Sequence, residues 1–194
     1  GERVGHFLDR RRAGIAHVVW SALGDTRKWV PLDDARRPTL MGKYKVPHFD
    51  AKGEADAIFA AEAAPTSYLL AAFYWENFIY FGMGPRKGDD GNLVLALPLG
   101  GAPLPGIAAG DIGACAYGLF RRGTSAVGER AGVAGEMLSG AEMAAAFTRR
   151  LGRPVRLIED RLENMRAGDA QGPERIFDVD IAFGIGRNLA HRAA

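Results

Sequence analysis

The sequence has almost no cysteine and no long apolar run. Its single cysteine, Cys115, cannot form a disulfide within the chain, which excludes a disulfide framework and favours a reducing compartment. No apolar run is long enough to span a membrane, and no N-terminal signal pattern is present. We therefore expect a cytoplasmic protein that does not bind to membranes.

The sequence also lacks a strong charge of either sign. Its 25 Lys and Arg residues against 23 Asp and Glu residues leave a formal charge of +2. The short basic clusters at residues 10–12 and 149–150 lie near predicted helix C-termini, where cations complement the helix dipole. This balance gives no electrostatic reason to expect direct binding of nucleic acid.

Common catalytic and phosphate-binding motifs are missing as well. There is no Walker motif, no Cys/His spacing for a metal ion and no Gly-x-Ser-x-Gly turn. Glycines cluster at residues 82–84, 100–101 and 184–190. The cluster at 82–84 lacks a third glycine, and the one at 100–101 lies between prolines. The last cluster follows a strand-like run, but no crossover helix, second strand or acidic residue comes after it, as a dinucleotide-binding turn requires. None of these clusters is therefore interpreted as a phosphate-binding loop.

The apolar pattern of the first eighty residues predicts an α/β arrangement. A helix over residues 2–13 precedes a continuous apolar strand over 15–21, and a polar loop over 24–45 leads into a helix over 47–63. A second apolar strand follows over 67–73. Nearly continuous apolar strands joined by a helix are typical of a βαβ crossover in a parallel sheet.

The pattern changes after residue 82, where turns become frequent. The predicted elements are a strand over 92–99, a loop over 103–110, a helix from an N-cap at Asp111 to Gly123, a helix from the capping box Ser139–Glu142 to Gly152, a strand over 154–158 and a strand-like run over 176–183.

Three segments of this predicted sheet place reactive groups at one edge. His48 and Lys52 are four residues apart and share a helix face, and Ser21 ends the preceding strand. The aromatic segment 74–77 follows the next strand. A His-x-x-x-Lys pair by itself is more often a solvated first turn. The convergence of three segments at the carboxyl ends of parallel strands instead favours a ligand-binding crevice.

Four blocks of the sequence resemble the NmrA-like proteins, which are atypical members of the short-chain dehydrogenase/reductase superfamily. The blocks are residues 17–21 (HVVWS), 46–54 (VPHFDAKGE), 73–77 (FYWEN) and 104–113 (LPGIAAGDIG). They occur in the family's order, and the resemblance covers roughly residues 1–155.

The resemblance implies a binding site for NADP or NAD and candidate roles in it. The superfamily uses a Tyr-x-x-x-Lys pair beside a strand-end Ser or Thr. In this sequence His48 replaces the tyrosine, Lys52 is kept and Ser21 matches the hydroxyl. Lys52 is expected to bind the nicotinamide ribose. The strand end with Tyr74, Glu76 and Asn77 is expected beside the nicotinamide.

The resemblance leaves two functions open. NmrA-like members are typically cofactor-binding redox sensors with little catalysis, which implies a regulator that acts through protein partners. The alternative is an NADPH-dependent reductase of quinones or carbonyl compounds. In that case Lys52 and His48 assist protonation and Ser21 orients the substrate.

The sequence departs from the family at its start. The family begins with a strand, a glycine-rich turn and a helix that hold the pyrophosphate, and this chain is expected to begin before the fifth strand of a sheet ordered 3-2-1-4-5-6. A truncated fragment that binds no cofactor is therefore a third hypothesis. The strand over 15–20 would then expose an apolar edge, which is a hazard for self-association.

The predicted fold is thus a partial Rossmann-like parallel sheet followed by a small α+β lobe. Residues 1–82 are assigned to the C-terminal part of an NAD(P)-binding domain. Residues 83–194 are assigned to a lobe that contacts a substrate or protein partner, and its tail from about residue 160 does not match the family.

Overall fold

The computed structural model describes residues 14–35, 37–99 and 101–159. The predicted helix over 2–13 and the strand-like run over 176–183 lie outside these residues. The chain divides into two compact units, the first from Gly1–Ala71 and Gly110–Val133 and the second from Ala72–Ala109 and Ala134–Ala194. The predicted functional boundary after residue 82 stays a prediction.

The helices and strands alternate along the described chain. In order they are β1 (Val18–Ala22), α1 (Pro47–Ala61), β2 (Thr66–Ala71), β3 (Phe73–Tyr74), α2 (Asn77–Tyr80), β4 (Arg86–Lys87), β5 (Leu93–Ala96), β6 (Leu104–Ile107), α3 (Ala109–Arg122), β7 (Arg130–Val133), β8 (Glu136–Leu138), α4 (Gly140–Leu151) and β9 (Val155–Ile158). Short 3-10 helices cover Thr26–Lys28 and Gly123–Ala126.

The first unit contains the predicted parallel sheet. Its strand order is β1-β2-β7, and β2 runs parallel to both of its neighbours. The crossover helix α1 joins β1 to β2, which confirms the predicted βαβ unit and the α/β fold class. Among the described residues β1 lies at an edge of this sheet, as expected. Self-association through that edge stays a prediction.

Helix α3 packs an apolar face against this sheet. Leu119 is buried with Leu69 of β2 and Ala126, and Ile112 and Cys115 pack against the same cluster. The helix begins at Ala109 rather than after an N-cap at Asp111, because the carboxylate of Glu76 accepts the Ala109 N–H. Asp111 therefore lies in the first turn, where its charge still complements the helix dipole.

The second unit has two small sheets, ordered β3-β6-β8 and β4-β5-β9. Leucines dominate its core. The predicted loop over 103–110 was wrong, because Leu104–Ile107 forms β6 between β3 and β8. Pro103, Pro105 and Gly106 lie in or beside this strand and make its sequence resemble a loop. A Cβ at Gly106 would lie 2.1 Å from the Trp75 ring, so the glycine is what allows that ring to lie against β6.

Helix α4 begins and ends as its sequence predicts. The Ser139 Oγ accepts the Glu142 N–H at 3.2 Å, and the Glu142 carboxylate accepts the Ser139 N–H at 2.7 Å. Gly152 ends the helix with φ of 65°, the left-handed conformation that glycine adopts without strain. Strand β9 follows and confirms the predicted strand over 154–158.

The N-terminal ends of β1 and β2 meet at a small buried polar cluster. The Ser67 Oγ donates its hydrogen to the Ala126 carbonyl oxygen at 2.6 Å. The His17 Nε2 lies 2.8 Å from the same Oγ and must therefore donate to it, since serine has one hydroxyl hydrogen. Beside it, the Thr66 Oγ1 is buried and has no hydrogen-bond partner among the described residues.

This cluster predicts opposite effects for two neighbouring substitutions. Thr66→Val should raise the free energy of unfolding by about 1 kcal/mol, because it removes a buried hydroxyl that lacks a partner. Ser67→Ala should lower it by about 1–3 kcal/mol, because the Ala126 oxygen and the His17 N–H lose their partner. Urea denaturation of both variants checks this. Equal effects of the two substitutions would contradict the assigned hydrogen bonds.

Candidate functional site

The structure brings together two of the predicted site residues, Lys52 and Ser21. The Lys52 Nζ donates to the Ser21 carbonyl oxygen at 2.8 Å and contacts the Ser21 Oγ at 3.1 Å. Ser21 lies near the carboxyl end of β1, and Lys52 lies in the second turn of α1. An ammonium has three donors, and the described residues provide oxygen acceptors for two of them. The third is available to a ligand.

The environment of Lys52 makes its ammonium group a stronger acid than an ordinary lysine. Burial lowers the pKa of Lys52 below its ordinary value, because desolvation disfavours the charged form. The carboxylate of Asp56, one turn further along α1, acts in the opposite direction. The ammonium also lies 5.6 Å from the centre of the Trp20 ring, within the range of a cation–π interaction.

The start of α1 is fixed by Asp50, a residue to which the sequence analysis gave no role. Its side chain is completely buried, and one oxygen accepts from the Thr26 N–H at 2.8 Å and the Thr26 hydroxyl at 2.5 Å. The other oxygen accepts the Lys45 N–H at 2.7 Å and the Val46 N–H at 3.1 Å. A carboxylate in the first turn of a helix that follows a polar loop was the available sequence signal.

Arg27 ties the loop after β1 to the middle of α1. Its guanidinium makes a two-pronged contact with Asp25 and a 2.8 Å contact with Glu54. This guanidinium holds the pKa of both carboxyl groups below their ordinary values. Between them the helix approaches the loop so closely that a Cβ at Gly53 would lie 2.6 Å from the Asp25 Cβ.

The predicted long loop over 24–45 is held together by a buried lysine. Lys45 is 1% exposed, and its Nζ donates to the backbone carbonyls of Asp34 at 2.9 Å and Arg37 at 2.7 Å. The loop therefore packs its polar backbone around this ammonium. Val46, the residue after Lys45, is the N-cap of α1, so the loop and the start of the helix are fixed together.

His48 lies one turn before Lys52 on α1. Its side chain is exposed, and its ring lies edge-on to the ring of Phe49 with 4.7 Å between centroids. The predicted catalytic role of His48 stays a prediction.

The remaining predicted residues, Tyr74, Glu76 and Asn77, belong to the second unit. Tyr74 ends β3 and Asn77 begins α2. The Glu76 carboxylate accepts the Ala109 N–H at 2.9 and 3.0 Å from its two oxygens, which is a helix-capping contact. Their predicted convergence with Ser21 and Lys52 on a nicotinamide stays a prediction.

Two classes of site are absent from residues 14–35, 37–99 and 101–159. No group of three or more His, Cys, Asp or Glu side chains is placed to hold a metal ion in this part of the chain. Within the same ranges, no helix is long and apolar enough to cross a membrane.

The fold and the contact of Lys52 with Ser21 together define a class of protein. Parallel strands joined by a crossover helix, with a lysine against the carboxyl end of the first strand, are the arrangement of a Rossmann-like α/β protein. The chain belongs to the NmrA-like family, whose sequence profile matches residues 11–165.

Solved structures with the same fold include a regulator and two reductases. NmrA, a negative transcriptional regulator solved in complex with NADP, is 22% identical with a TM-score of 0.70, and the match covers 93% of this chain and 54% of NmrA. The NADPH-dependent quinone oxidoreductase QOR2 from Escherichia coli, complexed with NADPH, is 16% identical with a TM-score of 0.67, covering 94% and 60%.

A third neighbour is the triphenylmethane reductase of Citrobacter sp., complexed with NADP(H). It is 15% identical with a TM-score of 0.63, and the match covers 94% of this chain and 60% of the reductase. The chain thus spans between about half and three fifths of the length of these three proteins. At these identities the likeness shows the fold.

The close approach at Gly53 predicts a selective destabilisation. Gly53→Ala should lower the free energy of unfolding by about 1–3 kcal/mol, because the new methyl group would collide with the backbone and side chain of Asp25. The matched control is Gly113→Ala in α3, where a Cβ meets nothing within 4 Å. This control should raise stability by about 0.5–1 kcal/mol through helix propensity. Urea denaturation measures both, and a neutral Gly53→Ala would refute the packing described.

Proposed function

We propose that this chain holds the nicotinamide-ribose end of a dinucleotide in an NmrA-like NAD(P)-binding protein, and that the protein is a nucleotide-sensing regulator with little catalysis. The observation that carries the proposal is the contact of Lys52 with Ser21 at the carboxyl end of β1. Ligands of open parallel sheets bind outside these strand ends.

The donors at this position fit a sugar diol. The third N–H of Lys52 can donate to a ribose hydroxyl, and the Ser21 Oγ can accept from or donate to the neighbouring one. Because the ammonium is half-buried, a hydrogen bond to it is stronger than one at an exposed lysine. The glycine-rich turn of the family is not among the described residues, so the proposal concerns the ribose end.

Two observations favour a regulator over an enzyme. His48 takes the place of the superfamily's tyrosine, and it is exposed at the start of α1. Lys52 is engaged by a backbone carbonyl as well as a hydroxyl, which suits a residue that holds a ligand in place. The fold likeness to NmrA, a negative transcriptional regulator, is consistent with this role.

The second candidate is an NADPH-dependent reductase of quinones or carbonyl compounds. The supporting observation is the lowered pKa of Lys52, which makes its ammonium a better acid than an ordinary lysine. NADPH, when bound, supplies the hydride. A carbonyl compound then needs one proton to become an alcohol, which Lys52 or His48 would donate to its oxygen, while the Ser21 hydroxyl orients that oxygen.

Calorimetric titration with NADPH tests the proposed site. We expect micromolar binding by the full 194-residue chain and a loss of about ten- to a hundredfold in Lys52→Met, the worth of a hydrogen bond to a charged group. The control is Lys28→Met, an exposed lysine of the same unit, which should bind as the parent does. Equal affinities in all three proteins would contradict the site. Absence of binding by the parent at millimolar NADPH would support the cofactor-free alternative.

NADPH oxidation, followed at 340 nm with a panel of quinones and carbonyl compounds, separates the two candidate functions. The regulator predicts no turnover above the uncatalysed rate. Turnover that Lys52→Ala abolishes and Lys28→Ala leaves intact would establish the reductase instead.

A further inference from the structure

Three side chains form a row across the first unit's sheet. Trp20 of β1 is in register with Tyr68 of β2, and Tyr68 is in register with Arg130 of β7. Residues in register on neighbouring strands point to the same face of a sheet. The Arg130 guanidinium lies 4.8 Å from the centre of the Tyr68 ring, so the row is continuous.

One carboxylate of helix α1 contacts both ends of this row. The Trp20 indole N–H donates to the Asp56 Oδ1 at 2.8 Å, and the Arg130 Nη2 donates to the Asp56 Oδ2 at 2.8 Å. The Asp56 side chain is only 15% exposed, so its ion pair is less screened than a surface pair. Asp56 therefore connects α1 to both β1 and β7.

Lys52 lies one turn before Asp56 on the same helix face. Its ammonium lies over the Trp20 ring, whose N–H is held by Asp56. The Phe59 ring packs against the same indole with 4.5 Å between centroids, which limits its movement. The position of the indole thus links the Asp56 carboxylate to the Lys52 ammonium.

We infer that Asp56 is a positioning residue for Lys52, because it fixes the Trp20 indole under the ammonium and places a negative charge one helical turn away. Nothing in the sequence pattern had marked Asp56. The inference deepens the proposed function by naming what holds the ribose-binding lysine against Ser21, and its bearing on a ligand rests on that function.

The charges around Lys52 determine in which direction its pKa should change when Asp56 is replaced. Burial lowers the pKa of Lys52, and the Asp56 carboxylate opposes that effect. Arg130 shares the same carboxylate, and its guanidinium lies over the Tyr68 ring. On the loop side, Asp25 is already paired with Arg27. Loss of the Asp56 charge therefore removes an attraction that opposes the effect of burial, and it should lower the pKa of Lys52 further.

On α1 itself the titratable neighbours are His48, one turn before Lys52, and Glu54. Glu54 is paired with Arg27 on the loop and is common to all the variants below. Neither group changes between the variants, so a difference in Lys52 titration reports on Asp56.

The direct test follows the Lys52 side chain by NMR during a pH titration of the full chain without a ligand. Asp56→Asn should shift the Lys52 midpoint to lower pH. The matched control Glu62→Gln removes the same charge at the C-cap of α1, about 15 Å along the helix axis from Lys52, and should leave the midpoint unchanged. An unchanged midpoint in Asp56→Asn, or an equal shift in both variants, would overturn the inference.

Trp20→Phe tests the connection between Asp56 and Lys52 through the indole without altering any charge. It replaces the first test if Asp56→Asn does not fold. It keeps an aromatic ring beneath Lys52 and removes the N–H that holds Asp56. A shift of the Lys52 midpoint in the direction seen for Asp56→Asn, but smaller, is expected. No shift would overturn the role of the indole.

NADPH affinity measured from pH 6 to 10 then connects the inference to the ligand. Asp56→Asn should lose affinity at a lower pH than the parent, since a lower pKa deprotonates Lys52 earlier, whereas a purely structural effect would weaken binding equally at every pH. If the parent binds no NADPH, the proposed function fails, while the NMR titration still decides the positioning role.

Discussion

The Asp50 carboxylate is the constraint on which the first unit depends. It is completely buried and accepts hydrogen bonds from Thr26, Lys45 and Val46, which belong to the loop after β1 and to the chain entering α1. Four donors satisfy a charge that would otherwise be costly to bury. This carboxylate fixes both the start of α1 and the loop that follows β1. It therefore also determines where the side chain of Lys52, two residues later, can lie.

Among the described residues, buried polar contacts of this kind hold helix α1 in the first unit. In the first, Asp50, Arg27 and Asp56 fasten one helix to the loop and to the sheet at three successive levels. The second unit instead surrounds a cluster of leucines with two small sheets and α4. Hydrogen bonds and ion pairs are directional, whereas apolar contacts are not. The helix that carries the candidate site is thus held by directional contacts.

The sequence was sufficient for features that depend on local pattern. Apolar runs located β1 and β2, Pro47 located the start of α1, and the box at Ser139 located α4. The family resemblance predicted Lys52 and Ser21 as site residues, and the structure places them in contact, while their roles stay predictions. Features that depend on tertiary partners were missed. Strand β7 is half exposed and lacks an apolar run, and β6 contains a proline and a glycine, which are rare in strands.

The roles of Asp50 and Asp56 could not be derived from the sequence for the same reason. Both are ordinary acidic residues on a helix, and only the folded chain brings Thr26, Trp20 and Arg130 to them. The most direct test of the whole account is a crystal structure of the chain grown with NADPH. It should show a nicotinamide-ribose hydroxyl within hydrogen-bond distance of the Lys52 Nζ, with Lys52 still on Ser21. A dinucleotide bound elsewhere, or a Lys52 side chain turned away from Ser21, would contradict it.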